Sequence, residues 1–138
     1  MNNNTGKYLE GEVNKVLSQL KIKNFYFRRL HDSYTAQGKS LPAQPADFFV
    51  AYKGHGFHVE CKTSKETNLR LKMFDQFGLM KRWEEAGVTG VAVVHFYTPD
   101  RLFLMPVDRL ETQPSWKCDA IGIELQNLGG LVEWLMKN

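Results

Sequence analysis

Long apolar runs are missing from this chain of 138 residues: none approaches the ~20 positions that a membrane-crossing helix needs, so no spanning segment is expected. Cysteine is scarce. Cys61 and Cys118 form neither a disulfide framework nor a zinc motif, which points to a reducing compartment, the cytoplasm (a host's, if a phage encodes the chain). The opening stretch MNNNTGKYLEGE has no basic segment followed by an apolar core, so it does not read as a secretory signal. Internal repeats are absent, and low complexity is confined to the short asparagine run at 2–4. With 43% hydrophobic and 24% charged residues, disordered and fibrous classes are set aside and one globular domain spanning 1–138 is expected.

Neither charge sign dominates. Eighteen basic against 15 acidic residues leave +3, which suits a polyanionic partner without demanding one. The distribution is more informative. Basic residues gather at 21–31, at 62–72 and at Lys81 and Arg82, whereas acidic ones concentrate at 84–85, 108–111 and 119–133. Taken singly, each basic cluster is an ordinary solvated face.

Hydrophobic periodicity predicts a first helix over 5–21, with Leu9, Val13, Val16, Leu17 and Leu20 on one side and Thr5 as its N-cap. An aromatic strand over 24–31 follows, and 32–45, with two prolines, a glycine and small polar residues, reads as a loop. Strands at 46–52 and 57–63 form a hairpin through Lys53-Gly54-His55-Gly56. A second helix over 72–86 ends at Gly87. The near-continuous apolar run at 90–97 suits a central strand covered on both faces. A strand at 101–105 and a helix at 128–136 complete the order α-β-β-β-α-β-β-α, an α/β domain with a mixed central sheet flanked by helices.

The hairpin carries the chemistry. Alternation puts His58, Glu60 and Lys62 on one face and Val59, Cys61 and Thr63 on the other. If Phe49 or Val50 lies across from Phe57 or His58, Asp47 falls opposite Glu60, with Cβ atoms about 5 Å apart. Two carboxylates that close repel unless a cation separates them, and an ammonium beside them suits a hard ion such as Mg²⁺. These parts fit phosphodiester hydrolysis. A Glu and a Lys two apart also decorate many exposed strands, and Asp47 could be a turn residue after Pro45. The apolar setting of FHVECK argues instead for an interior strand, where charges need a reason.

Pro45-Ala46-Asp47 followed by Glu60-Cys61-Lys62 resembles the PD-(D/E)XK nuclease motif. Val59–Thr63, then Phe74-Asp75-Gln76-Phe77, then the strand GVAVVHFY, resemble the RecU-like Holliday junction resolvases. Gly6-Lys7-Tyr8-Leu9-Glu10 is similar to the N-terminal glutamate motif of archaeal and phage junction resolvases. The likeness covers about residues 6–106. It implies a restriction-endonuclease-like fold, with Asp47, Glu60 and the Cys61 carbonyl holding a divalent ion, Mg²⁺ with Mn²⁺ able to substitute. It further implies Lys62 as the catalytic lysine, Gln76 orienting the lysine or a water, and Glu10 reaching the metal region; Glu12 is the competing first-helix acid. The pattern also departs from the family: the RecU-type stalk before the aspartate is reduced to a loop, and Pro45 replaces a hydroxyl residue.

The expected function is therefore a metal-dependent endonuclease resolving four-way DNA junctions as a C2 homodimer. Arg28, Arg29, Lys39, Lys65, Arg70, Lys72, Lys81 and Arg82 are the candidate phosphate contacts. A repair or restriction-type nuclease of the same core, or a DNA-binding module without turnover, are the alternatives. His58 and His95 read as packed histidines, and Cys61 as a small buried residue rather than a nucleophile. Phe77, Met80 and Trp83 form a core stripe, and Leu131, Trp134 and Leu135 form an apolar face.

Overall fold

The computed structural model describes residues 5–30 and 44–138. In chain order its elements are α1 (Gly6–Ser18), β1 (Phe25–Arg29), β2 (Phe48–Tyr52), β3 (His55–Ser64), β4 (Asn68–Arg70), α2 (Phe77–Glu85), β5 (Thr89–Phe96), β6 (Arg101–Pro106), β7 (Ser115–Lys117), α3 (Cys118–Ile121), β8 (Ile123–Leu125) and α4 (Gly129–Lys137). Short 3₁₀ turns occupy Leu71–Met73 and Val107–Arg109. The main sheet runs β1-β2-β3-β5-β6-β8, and β4 pairs with β7 as a separate ribbon. Only β3 and β5 are parallel within the main sheet. A parallel pair needs a crossover, supplied here by the segment carrying β4 and α2.

Each face of the sheet is covered by what the sequence periodicity supplies. Leu9, Val13 and Leu17 of α1 and Leu131 and Leu135 of α4 pack with Val59, Cys61, Val91 and Val93. Phe77 and Met80 of α2, with Leu69 and Trp116 of the ribbon, pack on the other side with Ala92, Val94 and Phe96. The strand β5 is buried along all but its first residue, as its unbroken apolar run requires. Thr5 caps α1, its hydroxyl accepting from the Tyr8 N–H at 3.1 Å.

Several boundaries differ from the sequence expectation. The hairpin turn is Lys53-Gly54 alone, with φ of 50° and 81°, and His55 and Gly56 already belong to β3. Positive φ at both central residues is the twist-matched two-residue turn, so the four-residue loop was unnecessary. Gly56 instead keeps a tight spot open: a Cβ there would stand 3.0 Å from the Phe49 ring, which would have to give by a few tenths of an ångström. The second helix starts at Phe77 rather than 72, because 71–73 form a 3₁₀ turn held through the Leu71 N–H to the Pro114 carbonyl. The strands β4, β7 and β8, and the single turn α3, are additions.

Gly122 closes α3 in a crowded corner, where a Cβ would lie 2.7 Å from Met105 Sδ and 2.8 Å from the Cys118 carbonyl oxygen. That oxygen is fixed by accepting the Gly122 N–H at 2.8 Å, so it cannot retreat. Gly122→Ala is expected to cost about 1–3 kcal/mol, as overpacking does. Thermal melting checks this, with Gly78→Ala as the comparison: Gly78 is helical with nothing within 4 Å. That change should stabilise by about 0.5–1 kcal/mol.

Candidate active site

The β2–β3 register pairs Phe49 with His58 and Phe48 with Val59, so the next step of the ladder sets Asp47 opposite Glu60, as the sequence predicts. Asp47 is fixed twice. Its carbonyl accepts the Leu30 N–H at 2.7 Å on the β1 side, and its Oδ2 accepts the Cys61 N–H at 2.8 Å on the β3 side. The β2 ladder ends at Phe48, and this carboxylate takes over the donor that a further β2 residue would have satisfied.

Glu60 and Lys62 face the α2 side of the sheet, beside Ala92 and Val94 of β5, while Val59 and Cys61 face α1. Glu60 is 1% exposed. Lys62 Nζ lies 3.1 Å from Glu60 Oε2, and Glu60 Oε1 is buried with no hydrogen-bond partner. Burial first, then the Asp47 charge and a hydrogen bond shared with Asp47, push the Glu60 carboxyl up to about 8; Lys62 opposes this only in part. An acid held neutral first by burial and then by a neighbouring acid marks a site where a cation would be favourable. The donor set fits a divalent ion: two carboxylates, one with an orphaned buried oxygen, beside strand backbone. Among the described residues, no group of three His, Cys, Asp or Glu side chains is arranged to hold a metal. An ion here would therefore complete its shell with backbone and water oxygens, as Mg²⁺ does.

The other predicted residues are divided between the two faces of the sheet, Gln76 on the α2 side and Glu10 and Glu12 on α1. Gln76 stands at the N-cap of α2, and its Oε1 is buried without a partner. It shares a helix face with Met80 and Trp83, and the Trp83 ring meets His58 edge-on at 5.3 Å. From Trp83 back to Gln76 is about 10 Å of helix, and from His58 on to Cys61 is about 10 Å of strand. A helix running back between two parallel strands thus starts at about the level of Cys61 and Lys62. Glu10 lies on the α1 side, 3.4 Å from Arg29 Nη2, and its charge helps raise the Cys61 thiol. Glu12 is paired with Lys15 at 3.6 Å. The Cys61 thiol is held well above its ordinary value by burial, then by Asp47 and Glu60, so it stays protonated.

Arg28 and Arg29 separate as strand alternation requires. Arg29, opposite Phe48, turns to Glu10, and Arg28, opposite Phe49, shares the face of Asp47. Lys65, Arg70, Lys72 and Arg82 are exposed, while Lys81 lies over the Phe77 ring at 5.7 Å. Lys39 lies outside the described residues, as do Tyr34 and Gln37. His58 is packed between the Phe49 and Trp83 rings, and burial lowers it to about 4, leaving it neutral. His95 Nε2 meets Asp100 Oδ1 at 2.7 Å, but its Nδ1 is buried and unpartnered. Trp83 departs from the expected core stripe, with 42% of its surface exposed at the end of α2. Sequence reasoning also missed Lys117, which reaches the basic cluster through β7; a three-residue strand with one buried tryptophan gives no periodic signal.

A mixed sheet with a carboxylate pair and lysine at the end of its central hairpin, flanked by helices on both faces, is the restriction-endonuclease-like fold. Among solved structures the chain is similar to Hjc, a Holliday junction resolvase from the archaeal hyperthermophile Archaeoglobus fulgidus, with a TM-score of 0.50. Identity is 18%, over 83% of this chain and 93% of that one. No protein-family model and no curated protein sequence matches. No helix among the described residues is long and apolar enough to cross a membrane.

Proposed function

We propose that this protein is a metal-dependent endonuclease that hydrolyses phosphodiester bonds in branched DNA, four-way junctions above all. The observation that carries the proposal is the Asp47–Glu60 pair. Burial first and the Asp47 charge second hold the Glu60 carboxyl up, and the Lys62 ammonium at 3.1 Å offsets this only in part. Such an arrangement costs stability unless a cation completes it. Asp47, Glu60 and the Cys61 carbonyl would hold Mg²⁺ or Mn²⁺. When bound, the ion would act as a Lewis acid, making water a better nucleophile and offsetting charge on the phosphoryl oxygen.

The chain's own groups account for the rest. Lys62, placed by Glu60, presents its ammonium to the scissile phosphate and orients the attacking water. Gln76, whose Oε1 is buried without a partner, positions that lysine or water from the start of α2. Glu10 sits on the α1 side of the sheet, with Arg29 as its counter-charge. The resemblance to junction resolvases, and a structural neighbour that is itself one, favour a four-way substrate. Resolution by two symmetric cuts then implies a C2 homodimer.

A cleavage assay on a four-way junction, a flap and a linear duplex tests this. With Mg²⁺ the junction is expected to be cut in paired nicks at least tenfold faster than the duplex, and EDTA to stop cutting. Binding without cleavage of any substrate in Mg²⁺ or Mn²⁺ would leave a DNA-binding module instead. Equal rates on all three would point to a repair or restriction-type nuclease.

A further inference from the structure

We infer that the β4–β7 ribbon is the track along which one DNA arm leaves the active site, held by its phosphates through Arg70, Lys72 and Lys117. The inference rests on the nuclease reading above and names a surface which that reading leaves open. The ribbon is amphipathic. Leu69 and Trp116 are buried in the α2-side core, so the neighbouring positions in each strand turn outward. Those outward positions are Asn68 and Arg70 in β4 and Ser115 and Lys117 in β7, all capable of bonding phosphate and none apolar.

The register fixes their spacing. Lys117 pairs with Asn68 and Arg70 with Ser115, making Arg70 and Lys117 a diagonal pair. Diagonal Cβ atoms stand about 7–8 Å apart, roughly the rise of two nucleotides along one strand. Lys65 and Lys72, both exposed, extend the positive strip at either end of β4. Glu66 is its one ion-paired acid, 3.8 Å from Arg70 and two-thirds exposed. Among the described residues, Lys65, Lys72 and Lys117 have no ion-pair partner.

Position links the strip to the site. A groove of about 360 Å³ starts at Thr63 and Ser64, the residues directly after Lys62, and runs past Asn68 to Arg70. Arg70 is also a wall of a second groove, of about 650 Å³, that continues along Lys72, Gln113 and Ser115. The first groove lies where the catalytic strand ends and the ribbon begins, and the second at the ribbon's other end, where β4 ends and β7 starts. A polyanion seated at Lys62 thus meets cationic side chains at the rim of both grooves, Lys65 and Arg70 in the first and Arg70 and Lys72 in the second, whose floor is largely apolar through Leu71 and Pro114. A phosphate backbone fits this arrangement because it needs repeated positive contacts and little base-edge chemistry.

The test is fluorescence anisotropy with a labelled four-way junction and a labelled duplex, in Ca²⁺ so that cleavage does not intrude. Arg70→Ala/Lys117→Ala is expected to weaken both complexes about 10- to 100-fold at moderate salt. The slope of log affinity against log salt should fall by about two, one contact each. Arg70→Lys/Lys117→Arg, which keeps both charges, should bind as the parent does, and Lys15→Ala, far along α1, should change nothing. A folded Arg70→Ala/Lys117→Ala variant with affinity within twofold of the parent and an unchanged slope overturns the inference, whatever the parent cleaves. Weaker binding by that variant alongside a parent that cuts no DNA would retain the ribbon and remove the nuclease.

Discussion

Glu60→Gln is expected to lower cleavage by on the order of 10³-fold or more while making the metal-free protein more stable at pH 8. The two effects share one cause. Glu60 is 1% exposed, its Oε1 has no partner, and burial together with Asp47 raises it from 4.5 to about 8. A raised carboxyl favours the neutral form in the folded state. Below pH 4.5 the acid is neutral folded or unfolded, and its contribution is fully present. As pH rises toward 8 the unfolded chain releases the proton first, and folding loses that contribution. Glutamine is neutral throughout and keeps its polar contacts with Lys62 and Asp47. The gain in melting temperature should therefore be near zero at pH 4.5 and level off above pH 8. Its plateau should be roughly 3–10 °C, the shift that one to two kcal/mol gives a domain of this size. Adding Mg²⁺ should reverse the order, stabilising the parent and leaving the variant unmoved. Thermal melts across pH, with and without Mg²⁺, read both halves. A variant that cuts within tenfold of the parent would remove Glu60 from the site.

The carboxylate pair behind that trade was legible in part from the sequence, and the division follows physical range. The hairpin was legible because turn residues and alternation are local, but its register was only conditional. The turn is Lys53-Gly54 rather than the expected Lys53–Gly56, and it is this shorter turn that sets Phe49 against His58 and Asp47 opposite Glu60. The helices α1 and α4 were legible because each writes a 3.6-residue stripe over more than two turns. The ribbon was not. Asn68–Arg70 and Ser115–Lys117 are three residues each, joined only by the fold, and their common signal is the burial of Leu69 and Trp116 against α2. The start of α2 was misplaced for the same reason, since the Leu71–Pro114 bond that holds the 3₁₀ turn is long-range. Chemistry followed the same rule. The adjacency of Glu60 and Lys62 is a matter of spacing two, whereas the Glu10–Arg29 pair and the orphaned Gln76 Oε1 arise from tertiary packing.

Asp47 separates the electrostatic role of the pair from its structural one. Asp47→Asn should abolish cleavage as fully as Glu60→Gln, yet cost little stability, because an amide oxygen can still accept the Cys61 N–H that Oδ2 now accepts at 2.8 Å. Removing the charge also removes the second cause of the raised Glu60 carboxyl, so Glu60 should titrate lower, with burial alone holding it up. Asp47→Ala abolishes cleavage too but leaves that buried N–H without an acceptor, which costs about 1–3 kcal/mol. Three measurements resolve the roles: cleavage rate, melting temperature, and the Glu60 carboxyl titration followed by carbon NMR. Loss of cleavage in both variants, loss of stability only in alanine, and a lowered Glu60 titration in asparagine are expected. Should Glu60 titrate unchanged in Asp47→Asn, the two acids do not share one electrostatic site. A single ion held between them would then have no basis, even with the strands in register.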